Sequence, residues 1–264
     1  ANDAKVYGLI VSENAYNKSN PGKIIVNGGN YFADKVSDSM IFADINEVIT
    51  VNGGNFHLGN VGTGDNGKPW IFNTTGQNQI HINVNGGTYN TNIGEQYYRD
   101  EFKLGNVLTI IDNEDGTWSV VTGVTLVDGE FTEYTNDKTQ EVEYISYTRK
   151  SIPTTWTPIY VPFEIPVEML ADQGFEVAYI NGVRRDDTDY DGELDKFVME
   201  SIYIHSQEEN KVDGSSKTLK ANYPYFIRSF GDQRIDLNIV LEDAMLYAAD
   251  DATYDCTTMT ERFE

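Results

Sequence analysis

Apolar residues in the first half of the chain recur in short strand-like runs, and three of these runs end at the same turn. Val26-Asn27-Gly28-Gly29-Asn30-Tyr31 returns, with small changes, at residues 51–56 and again at residues 84–89. Aliphatic residues typical of strands precede each turn, and an aromatic residue follows it. Each copy therefore predicts one strand, one turn and one inward-facing aromatic side chain.

The copies are 25 and 33 residues apart, counted from Val26 to Val51 and from Val51 to Val84. Periods of this size are typical of solenoids, whose units stack to bury an apolar face. A weaker repeat at residues 7–10, 40–43 and 69–72 precedes the copies, so we expect each unit to supply two short strands. The pattern favours a short right-handed parallel β-helix of about three coils over residues 1–122, with the three valines at equivalent positions.

The paired glycines suit the corner of such a coil, where positive φ is needed and a side chain would collide with the next coil. The asparagines that precede them, Asn27, Asn52 and Asn85, are expected to stack as a ladder of amides. Asn-Gly is also a strong hairpin signal, so three hairpins in an antiparallel sheet are the alternative. Against that alternative, the residues after Gly-Gly do not continue as an alternating strand that matches the preceding one.

Two capping elements are predicted after the repeats. Residues 95–104 are the best candidate for a short helix, with Tyr98 and Phe102 on one side, which would cover the open end of the solenoid. Residues 107–111 and 117–121 indicate two strands joined by an Asp-Gly turn. We place the domain boundary near residue 123.

Residues 123–264 contain short apolar runs punctuated by Gly, Asn-Gly and Asp-Gly, without helical periodicity. The whole chain is therefore predicted to be all-β, and this second half to be an antiparallel β-sandwich-like domain. Its core should contain mainly the aromatic residues Trp156, Phe163, Phe175, Tyr225 and Phe226.

Composition restricts the partners. The 42 acidic and 19 basic residues give a formal charge of −23, which repels nucleic-acid phosphates and anionic bilayers. Cys256 is the only cysteine, so an intrachain disulfide and a cysteine-based metal site are excluded. No apolar run approaches the ~20 residues of a membrane span. We therefore expect neither a nucleic-acid partner nor a membrane span.

One stretch has the spacing of a metal site. Residues 187–195 fit D-x-D-x-D-G-x-x-D, the first nine positions of an oxygen-rich calcium loop. The predicted calcium ligands are Asp187, Asp189, Asp191, the carbonyl group of Glu193, and Asp195. Position twelve is Val198 instead of a bidentate glutamate, and the flanks have the composition of strands, so the loop is not an EF-hand. The calcium would be structural; a solvated acidic turn is the alternative.

The other chemical candidates are weaker. His57, His81 and His205 have no metal-like spacing, and His57 is expected in a solvated loop. Trp70 borders the long loop at residues 58–68 and is a candidate stacking face for a sugar, or else a core or capping residue. Carboxylates are so abundant that any chosen glycosidase pair would be arbitrary. We therefore nominate no catalytic residue.

The GG-aromatic coils and the hairpin at Asp115-Gly116-Thr117-Trp118 resemble secreted modular surface proteins of gut Bacteroidetes and related anaerobes, whose repeat regions are regarded as β-helical. Residues 147–163, 175–178 and 219–227 are similar to a C-terminal β domain that follows leucine-rich or other repeats in such proteins. The resemblance implies an extracellular or cell-surface location and supplies no catalytic residue. Family members continue with further strands beyond residue 258, so the second domain is expected to be truncated.

Two functions remain open. The first is a non-catalytic surface protein for adhesion or for contact with a glycan or a host surface protein. The second is a carbohydrate-active β-helix enzyme, a polysaccharide lyase or hydrolase. Three coils give a groove of only ~14 Å at ~4.8 Å per strand, which is short for gripping a polymer, so we prefer the first. The sequence does not predict the oligomeric state.

Overall fold

The computed structural model describes residues 8–12, 22–34, 36, 39–44, 47–59, 70–74, 81–95, 102–130, 138–186, 196–206 and 217–248, and of residues 181, 183–186 and 196–200 the backbone alone. These parts are mostly β, which confirms the all-β fold class. The chain divides into two compact units, unit 1 at residues 1–124 and unit 2 at residues 125–264.

Unit 1 contains three strands for every repeat, one more than the sequence predicts. The first repeat supplies β1 (Ile10–Ser12), β2 (Lys23–Val26) and β3 (Asn30–Ala33). The second supplies β4 (Ser39–Ala43), β5 (Val48–Val51) and β6 (Asn55–Leu58), and the third β7 (Trp70–Thr74), β8 (Ile82–Val84) and β9 (Gly87–Tyr89). The region ends with β10 (Phe102–Leu104), β11 (Leu108–Asp112) and β12 (Trp118–Val127), which crosses the division between the units.

Strands at the same place in successive repeats pair in parallel and in register. Val26 is paired with Val51, and Val51 with Val84, as predicted. The other two sheets follow the same rule, with Ile10, Ile41 and Phe72 paired in β1-β4-β7, and Tyr31, Phe56 and Tyr89 paired in β3-β6-β9. Parallel pairing of all three copies shows that the antiparallel three-hairpin alternative is wrong.

The inward positions of these strands form the core of unit 1. Ile49, Val51, Ile82 and Val84 are completely buried. The inward aromatic rings stack along the same direction, with centroids 4.9 Å apart from Tyr31 to Phe56 and 5.1 Å apart from Phe56 to Tyr89. Burial raises the pKa of the Tyr89 phenol, whose hydroxyl donates to the backbone oxygen of Gly86 at 3.0 Å. The predicted inward aromatic position is therefore confirmed.

The Gly-Gly corner follows the prediction with one correction. The second glycines, Gly29, Gly54 and Gly87, have φ of 114°, 126° and 115°, a region in which a side chain is strained. A Cβ at Gly86 would lie 2.5 Å from the backbone oxygen of Asn52. The collision is thus with the preceding repeat, and not with the next one.

Two predictions for unit 1 are wrong. The residues after Gly-Gly do form strands, because each turn is followed by one inward aromatic residue between two outward positions. The helix predicted at residues 95–104 is replaced at its end by β10, which pairs in parallel with β8. Phe102 is buried and Lys103 is exposed, which is the alternation of a strand. Strand β10 is therefore the fourth strand of the β2-β5-β8 sheet and covers the edge of β8. Residues 96–101, including Tyr98, lie outside the described parts.

The hairpin predicted at the end of unit 1 is confirmed. Strand β12 pairs antiparallel with both β11 and β9. In the turn between β11 and β12, Asp112 Oδ1 accepts the amide of Glu114 at 2.8 Å. Hydrogen bonds from the side chain and backbone of Thr117 lower the pKa of Asp115. The Asx-type contacts therefore fix the turn that the Asp-Gly signal predicted.

Unit 2 has antiparallel pairing throughout its described strands. Its elements are β13 (Gln140–Ile152), β14 (Thr157–Ile159), β15 (Ile165–Pro166), α1 (Val167–Asp172), β16 (Phe175–Asp186), β17 (Lys196–His205), β18 (Thr218–Leu219), β19 (Tyr225–Ser229) and β20 (Ile235–Leu246). Strand β13 pairs with β20, β15 pairs with β18, and a four-stranded sheet has the order β14-β19-β16-β17. Phe163, Phe175 and Tyr225 are buried as predicted, whereas Trp156 and Phe226 are half-buried.

A buried carboxylate lies in the four-stranded sheet of unit 2. Glu176 on β16 is 1% exposed and forms an ion pair with Arg228 on β19, whose Nε donates at 2.5 Å. Ser206 Oγ donates to the other carboxylate oxygen at 2.7 Å. The Arg228 guanidinium lies over the ring of Trp156, 4.5 Å from its centroid. Hydrogen bonds, an opposite charge and an aromatic face together offset the cost of burying Glu176.

Candidate ligand-binding face

The outer surface of the β3-β6-β9 sheet carries the most distinctive exposed side chains of unit 1. Because side chains alternate along a strand, the residues on both sides of each inward aromatic project outward. Phe32 follows Tyr31 on β3, and its register partner His57 follows Phe56 on β6. Both outward rings are solvent-exposed.

Phe32 and His57 form a flat strip on this surface. Their ring centroids are 4.4 Å apart and their planes differ by 9°. Phe32 keeps 68% of its surface exposed, which is more than any other exposed large hydrophobic residue described. The prediction that His57 is solvated is confirmed, but its place in a loop is wrong because it belongs to β6.

A row of polar side chains runs beside the strip, and we call it the polar row. Asn55 Nδ2 donates to Asn30 Oδ1 at 2.8 Å. On the neighbouring strands the hydroxyls of Thr88 and Ser119 lie 3.1 Å apart, and Asn113 Nδ2 donates to Ser119 Oγ at 2.9 Å. Hydrogen bonding between neighbours restrains these side chains, while their exposed amides keep further donors and acceptors for a ligand.

The predicted corner ladder is confirmed. Asn52 Nδ2 donates to Asn27 Oδ1 at 2.8 Å, and Asn85 Nδ2 donates to Asn52 Oδ1 at 2.9 Å. Gly105 takes the fourth place: its amide donates to the Val84 oxygen at 3.1 Å, and a Cβ there would lie 2.7 Å from Asn85 Oδ1. All three ladder side chains are exposed, and the ladder, like the Asn55–Asn30 contact of the polar row, runs from one repeat to the next.

A second polar group is buried inside unit 1. Ser12 Oγ donates to Glu47 Oε2 at 2.8 Å, and the His81 Nδ1 atom lies 3.0 Å from the Glu47 backbone oxygen. The Ser12 hydroxyl is thus bonded to a carboxylate, and the histidine contacts the main chain. All three side chains are buried in the core, so a substrate does not reach this serine.

The predicted metal ligands Asp187, Asp189, Asp191, Glu193 and Asp195 lie outside the described residues. Their flanks are the strands β16 and β17, as predicted, and Asp186 is paired with Lys196 across the base of the connection. Within the described parts, no group of three or more His, Cys, Asp or Glu side chains is placed to hold a metal ion.

Trp70, the aromatic residue that the sequence offers as a sugar-stacking candidate, is less exposed than Phe32. Trp70 is the first residue of β7, paired with Ser39, and is half-buried. The loop beside it, residues 60–69, is outside the described parts. Phe32 was missed, although its position directly after an inward aromatic residue is a signal for an outward ring on a strand.

No family model, curated protein or solved structure matches the chain. In the described ranges, no helix has the length and apolarity needed to cross a membrane. The outer face of β3, β6 and β9 is therefore the feature from which a function is inferred.

Proposed function

We propose that the chain is a non-catalytic extracellular surface protein that contacts a glycan through the outer face of β3, β6 and β9. The exposed, parallel rings of Phe32 and His57 beside the polar row are the observation that carries this proposal. The proposal includes the location at the bacterial cell surface or outside the cell, which the resemblance to secreted surface proteins supports.

The chemistry of the face suits a sugar ring. A flat aromatic surface accepts the apolar C–H side of a pyranose, and side-chain amides both donate to and accept from its hydroxyl groups. Asn30 and Asn55 lie two residues before Phe32 and His57 on the same outward side of their strands. A ligand lying across the two strands therefore meets an apolar strip and a polar row together.

Net charge restricts the glycan class. The formal charge of −23 repels sulfated and uronic-acid polymers at long range. A neutral or amino-bearing glycan is consequently the expected ligand. This argument also disfavours a lyase, because lyases act on acidic polysaccharides.

For the architecture, we propose that unit 1 is a short right-handed parallel β-helix and that unit 2 is sandwich-like. In-register parallel pairing of β1-β4-β7, β2-β5-β8-β10 and β3-β6-β9 supports the first proposal. The antiparallel pairs β13–β20 and β16–β19 support the second.

We also propose a structural calcium ion at residues 187–195. The nine residues join the ends of β16 and β17, whose terminal residues Asp186 and Lys196 are paired. A cation bound by Asp187, Asp189, Asp191, Glu193 and Asp195 would offset the repulsion between carboxylates that are this close in sequence.

The experiment is a screen of neutral, amino-bearing and acidic glycans and mucin, run beside a reducing-end release assay. We expect saturable binding without turnover, and about a tenfold loss of affinity in Phe32→Ser because the stacking surface is removed. Tyr160→Ser is the matched control, since Tyr160 is a 53% exposed aromatic residue of unit 2. Glycan turnover, or equal loss in both variants, would contradict the proposal.

A further inference from the structure

The repeated contacts of unit 1 all end on the same side, at the first repeat. We call the edge formed by β2, the corner at residues 27–29 and β3 the open edge. In the sheets β2-β5-β8-β10 and β3-β6-β9, the strands β2 and β3 are terminal. Three independent features of the open edge differ from the same features one repeat later.

The first feature is the direction of the amide hydrogen bonds. Asn52 donates to Asn27, and Asn55 donates to Asn30, so each amide donates toward the first repeat. The Nδ2 donors of Asn27 and Asn30 have no partner among the described residues. Both side chains are exposed. The open edge therefore ends in two exposed amide donors that have no described partner.

The second feature is the space above the corner glycine. A Cβ built on Gly53 would lie 3.3 Å from the Asn27 oxygen, and one on Gly86 would lie 2.5 Å from the Asn52 oxygen. At Gly28, the equivalent Cβ has no described atom within 4 Å. At the second and third repeats a preceding turn occupies this place, whereas at the first repeat no described residue occupies it.

The third feature is incomplete burial. Phe56 and Tyr89 are 2% and 0% exposed, whereas Tyr31, the terminal ring of the same stack, is half-buried. The inward Ile24 on β2 is likewise half-buried, whereas its register partner Ile49 is completely buried. A ring placed over Tyr31 at the spacing of the stack would cover its free side.

We propose that the open edge binds a further turn of the Asn-Gly-Gly-aromatic type, presented by a partner polypeptide whose strands run parallel to β2 and β3. Amide oxygens of the partner would accept from Asn27 and Asn30, and its aromatic ring would stack on Tyr31. Main-chain pairing at a terminal strand would supply the remaining hydrogen bonds.

A second copy of the chain fits the open edge less well. Its second and third turns are enclosed, the second between Asn27 and Asn85 and the third between Asn52 and Gly105. Among the described Asn-Gly-Gly turns, the one left is the turn at the open edge of the second copy. Pairing two open edges would bring amide donors against amide donors. The inference is independent of the proposed glycan contact, because it does not use the outward rings of Phe32 and His57.

The test uses the full chain and a fluorescent peptide with the sequence of residues 47–59, which carries one complete turn. We expect saturable binding, weakened about tenfold in a peptide with leucine in place of Asn52 and Asn55, whose amides face Asn27 and Asn30 in the chain itself. Gly28→Val should also weaken binding about tenfold, because its side chain fills the place of the added turn. Tyr160→Ser, at an exposed aromatic residue of unit 2, should leave peptide binding unchanged.

Lys103→Val is the matched control, since it places valine on the exposed side of β10 at the other end of the same sheet. Gly28→Val should melt within about 2 °C of the parent protein because no described atom lies within 4 Å of the added Cβ. No saturable peptide binding, or equal weakening in Gly28→Val and Lys103→Val, would overturn the proposal. Concentration-dependent dimerisation that Gly28→Val abolishes would overturn the choice of occupant in favour of a second copy.

Discussion

The two units differ in how often each stabilising contact is used. In unit 1 the same contact returns in successive repeats, as in the Tyr31–Phe56–Tyr89 stack. In unit 2 the decisive contacts occur once, and the ion pair between Glu176 and Arg228 joins residues 52 positions apart. Unit 1 also has 13 acidic and 7 basic residues, against 29 and 12 in unit 2.

The difference shows two ways of fixing strand register. Repetition fixes it in unit 1, because a slip by one residue would turn every stacked ring and every buried aliphatic side chain to the wrong face. Long strands and individual polar contacts fix it in unit 2, where β13 has 13 residues and β20 has 12. The loss of one contact should therefore cost more in unit 2 than in unit 1.

The largest effect is expected from Arg228→Met in unit 2. The change leaves the Glu176 carboxylate buried without its counter-charge, which should lower the free energy of unfolding by about 3 to 5 kcal/mol. Urea unfolding followed by circular dichroism measures it. Arg234→Met, at an exposed arginine, is the control, and the double variant Arg228→Met with Glu176→Leu should recover most of the loss. A loss below about 1 kcal/mol would remove the contrast between the units.

Calcium should act on the acidic unit 2 with a smaller effect. At a hundredfold excess over Kd, binding to the native state stabilises by ~2.7 kcal/mol and raises the melting temperature. Asp189→Ala combined with Asp191→Ala should abolish the shift, whereas Asp232→Ala, at an exposed aspartate outside the loop, should keep it. If chelated and refilled protein melts at the same temperature, residues 187–195 are a solvated acidic turn.

The smallest of these effects is expected within unit 1, from Gly86→Ala. Its Cβ would meet the Asn52 oxygen at 2.5 Å, and the resulting shift of the corner should cost about 2 kcal/mol. Gly28→Ala makes the same chemical change at an open position and should cost less than about 0.5 kcal/mol. Equal losses in the two variants would show that contact between repeats does not determine the role of the glycine, and the account of unit 1 would fail.

Repetition also explains how much of the structure was predictable. The register of Val26, Val51 and Val84 and the asparagine ladder follow from identical residues at identical places, and both are confirmed. The strands after each Gly-Gly are not predicted, because they have only three or four residues and the repeat shows one inward aromatic residue in each. Strand β10 was missed because its three residues are too few to distinguish a period of two from a helical turn.

The candidate site was less predictable than the fold. The repeat indicates that Tyr31 projects inward, but it places the exposed Phe32 outward only if a strand continues past Tyr31, as β3 does. In unit 2, no local pattern relates Glu176 to Arg228, because their contact depends on the order of strands β16 and β19 in the sheet. Motif spacing predicted a calcium loop at residues 187–195, and that prediction stays open.

The common direction of the amide hydrogen bonds has an electrostatic consequence. Each side-chain amide is a dipole, and dipoles aligned head to tail in the Asn27-Asn52-Asn85 ladder add and polarise one another. The positive end of the column lies at Asn27, and the shorter column from Asn55 to Asn30 ends beside it. The column thus places partial positive charge at one edge of a molecule whose formal charge is −23, and the amides that supply it do not titrate with pH.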